Sequence, residues 1–527
     1  MAQSHSSSKP RCIVVGAGIG GLTTAALLAR RGYSVLILDQ AIVPGGCAST
    51  FKRRGFTFDV GATQVAGLEA GGIHHRIFEE LEMALPEATP CDPACAVFLP
   101  GETEPISVWR DPLKWQQERQ RQFPGSEPFW QLMNTLFKAS WRFQGRDPVL
   151  PPRDWWDLWQ LVQAMRPDTL ITVPFALLTV WDALRLMGVG KDDRLKTFLD
   201  LQLKLYSQVD TTETALLYAA TALGVSQEPQ GLYHLQGSMQ VLSDRLVSSL
   251  ERDGATLLMR HTVEQIETKN ARVTGVRIRN MKTGETWSEN ADYVVANVTI
   301  HNLVQLLKSD DLATKIYANG YSQRLKQVPS PSGAFVVYLG VEQAAIPENC
   351  PPHLQFLYDY DRPIGENNSL FVSVSHPGDG RAPDGKATIT ASSFTDTEQW
   401  WNGGDYEQLK QKFTEGAIAR LSQYFHLTPE TLIHVEAATP RTFANYTGRD
   451  RGIVGGMGQR LTTFGPFGFA NRTPIGNLWL VGDSTHPGEG TAGVSYSALT
   501  VVRQIDTALS ASRTCSCRTK SETRGNG

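Results

Sequence analysis

The sequence predicts an α/β protein that begins with a strand, a helix and a second strand. Residues 12–16 and 34–39 are short apolar runs of the kind found in buried parallel strands. Residues 20–31, between them, place their apolar side chains at helical spacing. Two later apolar runs, residues 291–297 and 477–483, predict further strands of the same sheet. We therefore expect a parallel sheet of the dinucleotide-binding kind, assembled from three separated stretches of chain.

A glycine-rich turn connects the first predicted strand to the helix. Gly16, Gly18 and Gly21 form a GxGxxG pattern, with Gly20 beside it. Glycines there permit a tight turn, close approach of backbone N–H groups to a pyrophosphate, and close packing of helix on strand. Asp39 ends the second strand about 18 residues after Gly21, where an acid that binds the ribose is expected. Together these residues predict a Rossmann-like dinucleotide site.

The segment after Asp39 points to FAD. A second glycine pair, Gly45 and Gly46, does not belong to a simple nicotinamide site and suits the extended body of FAD. With the later run Phe-Thr-Phe-Asp-Val-Gly, which contains Asp59 and Gly61, it resembles the superfamily of FAD-dependent amine oxidases and phytoene desaturases. The resemblance implies an FAD-binding domain of the GR2, or amine oxidase, type with an inserted α+β substrate domain. It also implies that these four residues lie at the cofactor.

The C-terminal part of the chain resembles the second flavin motif of the same superfamily. Gly482 and Asp483 precede the run STHPGEGTAGVSYSALTVV. The resemblance implies that Asp483 contacts the phosphoribityl chain of FAD and that Gly493 and Val494 bring backbone to the isoalloxazine ring. A helix from about Val494 would direct its positive N-terminus at the flavin, which stabilises an anionic reduced flavin. Val263 lies where the superfamily has a residue in contact with adenine.

Within the superfamily the chain is most similar to carotenoid desaturases and isomerases, over residues 11–510. Residues 46–76 and 97–112 resemble cyanobacterial C-3′,4′ carotenoid desaturases in particular. This resemblance implies FAD-dependent desaturation of an acyclic carotenoid end on the way to myxol-type carotenoids. The electron acceptor, a quinone or oxygen, is not identified by the sequence.

One turn departs from the desaturase pattern. Residues 487–490 are Pro-Gly-Glu-Gly, which is nearer to the proline-glycine-glutamine-glycine turn of prolycopene isomerases. Cis–trans isomerisation of a carotenoid with reduced FAD therefore stays open as the alternative activity. A flavoprotein that binds a carotenoid without turnover is a third interpretation. An amine oxidase is a fourth, although no aromatic cage for an amine is evident in the sequence.

Desaturation makes few demands on catalytic side chains, because FAD carries the redox chemistry. We expect an apolar tunnel that holds the polyene against the flavin, and no Ser/His/Asp or Cys/His constellation stands out. Catalytic residues are therefore not assigned. His486 and Glu489 lie on the proposed flavin turn. One hypothesis is that either of them assists proton loss or stabilises a cation, and the other is that both only support the turn.

The motifs divide the chain into two predicted domains. The predicted FAD-binding domain is discontinuous and comprises residues 11–65, 231–300 and 471–510. The predicted substrate-binding and membrane-facing domain comprises residues 66–230 and 301–470. Because the chain ends are polar and poor in bulky side chains, flexible tails are predicted at residues 1–10 and 511–527.

Charge and composition argue against several classes of ligand. The net charge of −3 offers no basic face for nucleic acid. Seven cysteines do not suggest a secreted disulfide scaffold, which favours a reducing compartment. Residues 52–54, Lys-Arg-Arg, are either a solvated turn or a contact to an FAD phosphate. No metal is predicted, because further ligands are lacking around the pairs Cys91 with Cys95, Cys515 with Cys517, and His74 with His75.

No segment of the sequence is apolar enough to span a membrane. Residues 169–181 are the longest uncharged apolar stretch, about 13 residues against the roughly 20 that a spanning helix needs. A carotenoid dissolves in a bilayer, so we expect a peripheral position on the cytoplasmic side of a membrane. The region 155–188, with three tryptophans near its start, could form an interfacial patch. The alternative is that its apolar residues line the substrate cavity or the core.

Overall fold

The computed structural model describes residues 9–402 and 404–522, with side chains described up to residue 510. Its first sheet has five parallel strands, in the spatial order Thr256–Met259, Ser34–Asp39, Arg11–Val15, Tyr293–Ala296 and Leu478–Leu480. Four of these strands lie where the sequence predicts them. Thr256–Met259 is not predicted, because a run of four partly exposed residues gives too weak a pattern. The predicted β-α-β unit and parallel sheet are confirmed.

Three helices pack on one face of the parallel sheet. The helix Ile19–Arg30 buries every residue except its last one. Its neighbours are the helices Gln240–Arg252 and Thr491–Glu522. The small side chains of Ala25 and Ala26 are fully enclosed in the shared apolar cluster. This packing fixes the start of the helix Ile19–Arg30 against the sheet, which is where the predicted phosphate turn lies.

A smaller antiparallel sheet covers the other face. Its strands are His261–Lys269, Arg272–Asn280 and Thr286–Asn290. Val263 and Ile266 from its first strand belong to one apolar cluster with residues of the parallel sheet. The strand that contains Val263 is thereby held against the end of the parallel sheet.

A seven-stranded sheet forms the second large element of the molecule. Its spatial order is Leu432–Ala438, Gly333–Glu342, Lys386–Thr395, Ser369–Val374, His353–Leu357, Cys95–Phe98 and Ile106–Val108. All neighbouring strands are antiparallel except the pair His353–Leu357 and Cys95–Phe98. Strands from both predicted insertions therefore build one sheet. The boundaries that we assign to the two domains stay a prediction.

The remaining described elements connect these sheets. Two small sheets pair Thr50–Arg53 with Phe56–Asp59, and Leu232–Leu235 with Val65–Ala66 and Ala88–Pro90. The other α-helices are Ile73–Glu80, Pro112–Gln122, Glu127–Gln144, Trp155–Ala164, Pro167–Leu170, Val180–Leu186, Asp193–Ser207, Leu216–Gly224, Ile300–Leu306, Leu312–Leu325, Glu398–Trp401, Tyr406–Leu421 and Pro440–Thr447. Short 3-10 turns are Gly46–Ala48, Val173–Phe175, Gln343–Ala345, Asp450–Gly452 and Gly465–Phe467.

The C-terminal segment differs from the predicted tail. The helix Thr491–Glu522 continues through residues 511–522, where composition alone suggests an irregular chain. A helix that is already packed against the sheet can propagate into a polar segment, because extension costs less than nucleation. Of the predicted tails, residues 1–8 and 523–527 lie outside the described residues. Among the helices of the described part, none is long and apolar enough to cross a bilayer.

Candidate active site

A cavity of about 1360 Å³ opens at the carboxyl ends of the parallel strands. This is the edge at which open α/β sheets bind ligands. The cavity runs from Asp39 to the inner face of the seven-stranded sheet at Val336, and it reaches the surface helices near Met165. Its volume exceeds the roughly 300–1,000 Å³ of pockets for a single small ligand. There is room for an extended cofactor and a second molecule beside it.

The predicted phosphate turn forms one wall of this cavity. Gly16, Gly18 and Gly20 line it, and Gly18 precedes the helix Ile19–Arg30 without any side chain capping the first turn. The backbone N–H groups at this helix end are therefore available to an anion. Gly16 has φ +99°, and a Cβ on Gly21 would lie 2.0 Å from the carbonyl oxygen of Gly16. Gly21 itself does not line the cavity and acts by letting the helix pack on the turn.

Asp39 and Val263 lie at the end of the cavity where a nucleoside is expected. Both line it. The Asp39 carboxylate accepts a hydrogen bond from the backbone N–H of Ala17 and another from that of Ala41, both at 2.7 Å. Burial raises the pKa of Asp39 above its ordinary value. Since a carboxylate can accept about four hydrogen bonds, free lone pairs remain for ribose hydroxyls.

The other predicted cofactor residues fall into two groups. The residues of the first group line the cavity: Gly45, Gly46, Gly61, Gly482, Asp483, Gly493 and Val494. The helix after the second flavin motif begins at Thr491, and the N–H of Val494 donates to the carbonyl of Gly490 at 3.0 Å. Its N-terminus therefore lies at the cavity, as the sequence predicts.

Asp59 alone makes up the second group. It is a predicted cofactor residue, but it is not among the described residues that line the cavity. Its carboxylate accepts hydrogen bonds from the backbone N–H of Met239 at 2.8 Å and from Nε of Arg381 at 3.0 Å. Only 3% of the Asp59 side chain is exposed. The structure gives Asp59 a part in a buried ion pair that joins distant segments, and the predicted contact to FAD stays a prediction.

Two residues that no sequence motif indicates complete the cofactor wall. Asn297 follows the strand Tyr293–Ala296 and donates from Nδ2 to the carbonyl of Gly16 at 3.3 Å. Arg449 donates from Nη2 to the carboxylate of Asp483 at 2.7 Å and to the carbonyl of Gly455 at 2.6 Å. Both line the cavity. The ion pair with Arg449 thereby fixes the position of Asp483 at the cavity wall.

Glu489 is a buried carboxyl group in the cavity wall whose pKa lies near neutral pH. Its Oε2 accepts a hydrogen bond from Nε2 of Gln208 at 3.1 Å. Burial, with a smaller contribution from the charge of Asp483, raises the pKa of Glu489 to about 8, although Gln208 and Arg449 oppose the shift. A carboxyl group whose pKa lies near neutrality can act as both acid and base. Gln208 adopts φ +64° directly after the helix Asp193–Ser207, a conformation that non-glycine residues rarely take.

His486 shares the cavity wall with Glu489 but differs in chemistry. Its Nε2 lies 3.2 Å from Oε1 of Gln144, and its ring lies near Phe464 and Tyr496. Burial lowers the pKa of His486 to about 4. His486 is therefore neutral at pH 7. Of the two residues that we hypothesise to act in the reaction, Glu489 is the one whose charge changes near neutral pH.

The remaining groups named by the sequence analysis lie away from the cavity. Arg53 pairs with Glu436 at 3.1 Å on an exposed hairpin, so residues 52–54 form a solvated turn. Cys91 and Cys95 are free and buried, whereas the side chains of Cys515 and Cys517 lie outside the described residues. Within the described part of the chain, no group of three or more His, Cys, Asp or Glu residues could hold a metal ion.

Comparison with known proteins finds carotenoid desaturases and isomerases among the relatives of this chain. Residues 14–81 match the family of NAD(P)-binding Rossmann-like domains. The chain is 26% identical to the chloroplastic prolycopene isomerase of Daucus carota, over 94% of this chain and 79% of the isomerase. It is also 26% identical to the zeta-carotene-forming phytoene desaturase of Myxococcus xanthus, over 96% of this chain and 95% of the desaturase. Over almost its whole length the chain is therefore similar to carotenoid desaturases and isomerases. A closer likeness to C-3′,4′ desaturases stays a prediction.

Solved structures support the predicted fold. A putrescine oxidase with bound putrescine superposes with a TM-score of 0.61, at 13% sequence identity, over 95% of this chain and 99% of that one. The amine oxidase type of FAD-binding fold is thereby confirmed. The protein is an FAD-dependent oxidoreductase. Its residues fit the cofactor, because an uncapped helix start, a carboxylate with spare lone pairs and the Arg449–Asp483 pair line one continuous cavity.

Proposed function

We propose that the protein desaturates the C-3′,4′ bond at an acyclic carotenoid end in the biosynthesis of myxol-type carotenoids. The cavity is the main support for this proposal. It is lined by the FAD motifs, by the ionisable Glu489 and by apolar side chains that include Leu161 and Leu217. The relatives include a phytoene desaturase and prolycopene isomerases. A carotenoid is a long apolar polyene and suits a cavity of this kind.

The chemistry needs one hydride acceptor and one proton acceptor. FAD, when bound, accepts a hydride from one substrate carbon. The adjacent carbon loses a proton to ionised Glu489, the electrons of that C–H bond form the new double bond, and Glu489 becomes neutral. Gln208 orients the carboxylate through its 3.1 Å hydrogen bond. A quinone or oxygen then serves as the final electron acceptor.

Product mass tests the proposed reaction. We expect a host that makes an acyclic carotenoid, and that expresses this protein, to accumulate a product two mass units lighter with absorption at longer wavelength. A product of unchanged mass and changed geometry would favour isomerisation. Recovery of the carotenoid unchanged, while bound to the protein, would favour a carrier. Either result would remove the desaturase proposal.

Isomerisation is the second candidate, and the turn around Glu489 favours it. Pro487 to Gly490 is nearer to the isomerase pattern, and prolycopene isomerases are among the relatives at 26% identity. With a pKa of about 8, Glu489 is largely neutral at pH 7 and can donate a proton to a polyene. Transient protonation would allow rotation about a former double bond, and return of the proton would leave the mass unchanged.

The pH dependence of turnover distinguishes the two candidates. Desaturation needs ionised Glu489, so its rate should rise about tenfold from pH 7 to pH 9, as the carboxyl group loses its proton. Isomerisation needs the neutral acid, so its rate should fall by about the same factor over that range. His486, with a pKa of about 4, does not titrate there. The measurement is initial turnover of the holoenzyme in detergent micelles at constant ionic strength, and a flat profile would contradict a role for Glu489.

We also propose that the protein collects its substrate from a membrane as a peripheral protein on the cytoplasmic side. An apolar patch supports this, in which the following side chains are exposed: Trp155, Leu158, Trp159, Val162, Met165, Leu170, Ile171, Val173 and Leu177. Met165 and Val173 also line the cavity, so the patch surrounds a way into it. A carotenoid could pass from a bilayer to the flavin without crossing water.

Replacement of the two outermost tryptophans tests the membrane proposal. Trp155 is 84% and Trp159 57% exposed, so W155S/W159S should fold normally. We expect vesicle binding in co-sedimentation to fall at least about tenfold, since burying a large apolar side chain contributes about 1.5–3 kcal/mol. The matched control is L312S/I316S on the helix Leu312–Leu325, where the two side chains are 72% and 60% exposed. Equal binding of both variants would contradict the proposal.

A further inference from the structure

A row of buried polar side chains leads away from the cavity wall. Thr63 lines the cavity, and the hydroxyl of Ser373 donates to Oγ1 of Thr63 at 2.6 Å. The same Ser373 oxygen lies 3.0 Å from Nδ1 of His353. All three side chains are more than nine-tenths buried. A hydrogen-bonded chain therefore connects the cavity to an imidazole that no other part of the proposed reaction uses.

A second imidazole continues the row toward solvent. The rings of His353 and His234 have their centroids 5.7 Å apart. Nε2 of His353 and Nδ1 of His234 are both buried without a hydrogen-bond partner among the described residues. On its other side, Nε2 of His234 lies 3.0 Å from the carboxylate of Asp379 and 2.9 Å from Nη1 of Arg381. The exposed His376 packs edge-on against His234 at 5.0 Å. The row therefore extends from the cavity to the surface.

Packing alone does not explain why the side chain at position 353 is an imidazole. His353 stacks on Phe371 with an interplanar angle of 3°, so a phenyl ring would satisfy the same contact without burying an unpaired nitrogen, which lowers stability. The charged groups around the imidazoles are Asp59, Asp379 and Arg381. Arg381 pairs with each of the two carboxylates, and its guanidinium also faces His234. Burial lowers the pKa of His353 well below its ordinary value. An imidazole of this kind stays neutral at rest and carries an extra proton only in passing.

We propose that Thr63, Ser373, His353, His234 and His376 form a proton path between the cavity and solvent. The proposal rests on the proposed desaturation, because that reaction leaves one proton on Glu489 in each turnover, and this proton must leave the cavity before the next turnover. Each hydroxyl or imidazole accepts a proton on one side and gives one up on the other. For each proton that leaves the cavity, the Thr63 and Ser373 hydroxyl groups rotate, so that Thr63 donates to Ser373 and Ser373 donates to His353. One proton therefore enters at Thr63, one leaves at His376, and no side chain changes its net charge after a transfer.

The variant H353F removes the central link and keeps the stacked ring. Holoenzyme is mixed anaerobically with an acyclic carotenoid in micelles, and flavin bleaching and proton release are followed together, the latter with a pH-indicator dye. Proton release should slow at least about tenfold relative to wild type, given that positioned proton carriers contribute roughly 10²–10⁴-fold. FAD content should not change. If H353F folds poorly, S373A serves in its place. This variant removes only a hydroxyl group and should also slow proton release.

The control is H74F, because His74 is another fully buried histidine with an unpaired Nε2 and does not line the cavity. Its proton release should match wild type.

Photoreduction of bound FAD without substrate separates this proposal from the proposed function, since two-electron reduction of a flavin draws a proton from solvent in either case. If H353F takes up protons slowly and wild type does not desaturate a carotenoid, the proton path is supported and the proposed desaturation is contradicted. Equal proton kinetics in wild type, H353F and S373A would overturn the path.

Discussion

Replacement of Glu489 by glutamine should abolish turnover while leaving FAD bound. The amide keeps the size of the carboxyl group and its contact with Gln208, 3.1 Å away in the native protein. It can neither take nor give a proton near pH 8, where the carboxyl group titrates. Loss of a positioned acid or base lowers rates by roughly 10²–10⁴-fold. The measurement is single-turnover flavin bleaching by substrate, with FAD content read from the visible spectrum.

Glu118 provides the matched control for this variant. It is a mostly buried carboxylate, it pairs with Arg121 at 2.8 Å, and it does not line the cavity. E118Q should therefore turn over at the wild-type rate. A wild-type rate for E489Q with full FAD content would show that Glu489 only supports the turn, which is the alternative that the sequence leaves open.

Replacement of Arg381 by methionine should cause the largest loss of stability among single charge removals in the described core. Its guanidinium donates to Asp59 at 3.0 Å and to Asp379 at 3.1 Å, and all three side chains are at most 4% exposed. R381M leaves two carboxylates buried without their cation. Removal of one partner from a buried ion pair costs about 3–5 kcal/mol. The measurement is the free energy of unfolding from urea titration with FAD in excess.

Arg279 serves as the control for that loss. It pairs with Glu264 at 2.6 Å on an antiparallel strand and is half exposed. Exposed pairs of this kind contribute roughly 0–1 kcal/mol, so R279M should unfold almost as wild type does. If R381M were as stable as R279M, the buried ion pair would not be what joins the strand Phe56–Asp59 to residues 379–381.

The sequence could predict the cofactor wall because that wall is local in the chain. Gly16, Gly18 and Asp39 lie within one strand–helix–strand unit, whose hydrophobic periodicity is strong. Gly482 and Asp483 follow a buried strand and precede a helix. Such turns carry their own signature, because the backbone geometry they require restricts the residue type.

The site contacts that the sequence could not predict join segments that are distant in the chain. Arg449 reaches Asp483 across 34 positions, and Gln208 reaches Glu489 across 281. Ser373 and Thr63 are 310 positions apart. No periodicity or spacing in the chain encodes such pairs, since they arise only when the two insertions fold onto the parallel sheet. Asp59 shows the same effect, because tertiary packing places it in an ion pair outside the cavity lining.

A single turnover of the FAD-loaded enzyme without oxygen tests whether this cavity desaturates a carotenoid. One equivalent of acyclic carotenoid should bleach one equivalent of flavin and should be recovered two mass units lighter. A carotenoid converted without loss of mass, or a flavin that stays oxidised while product forms, would contradict desaturation by this cavity.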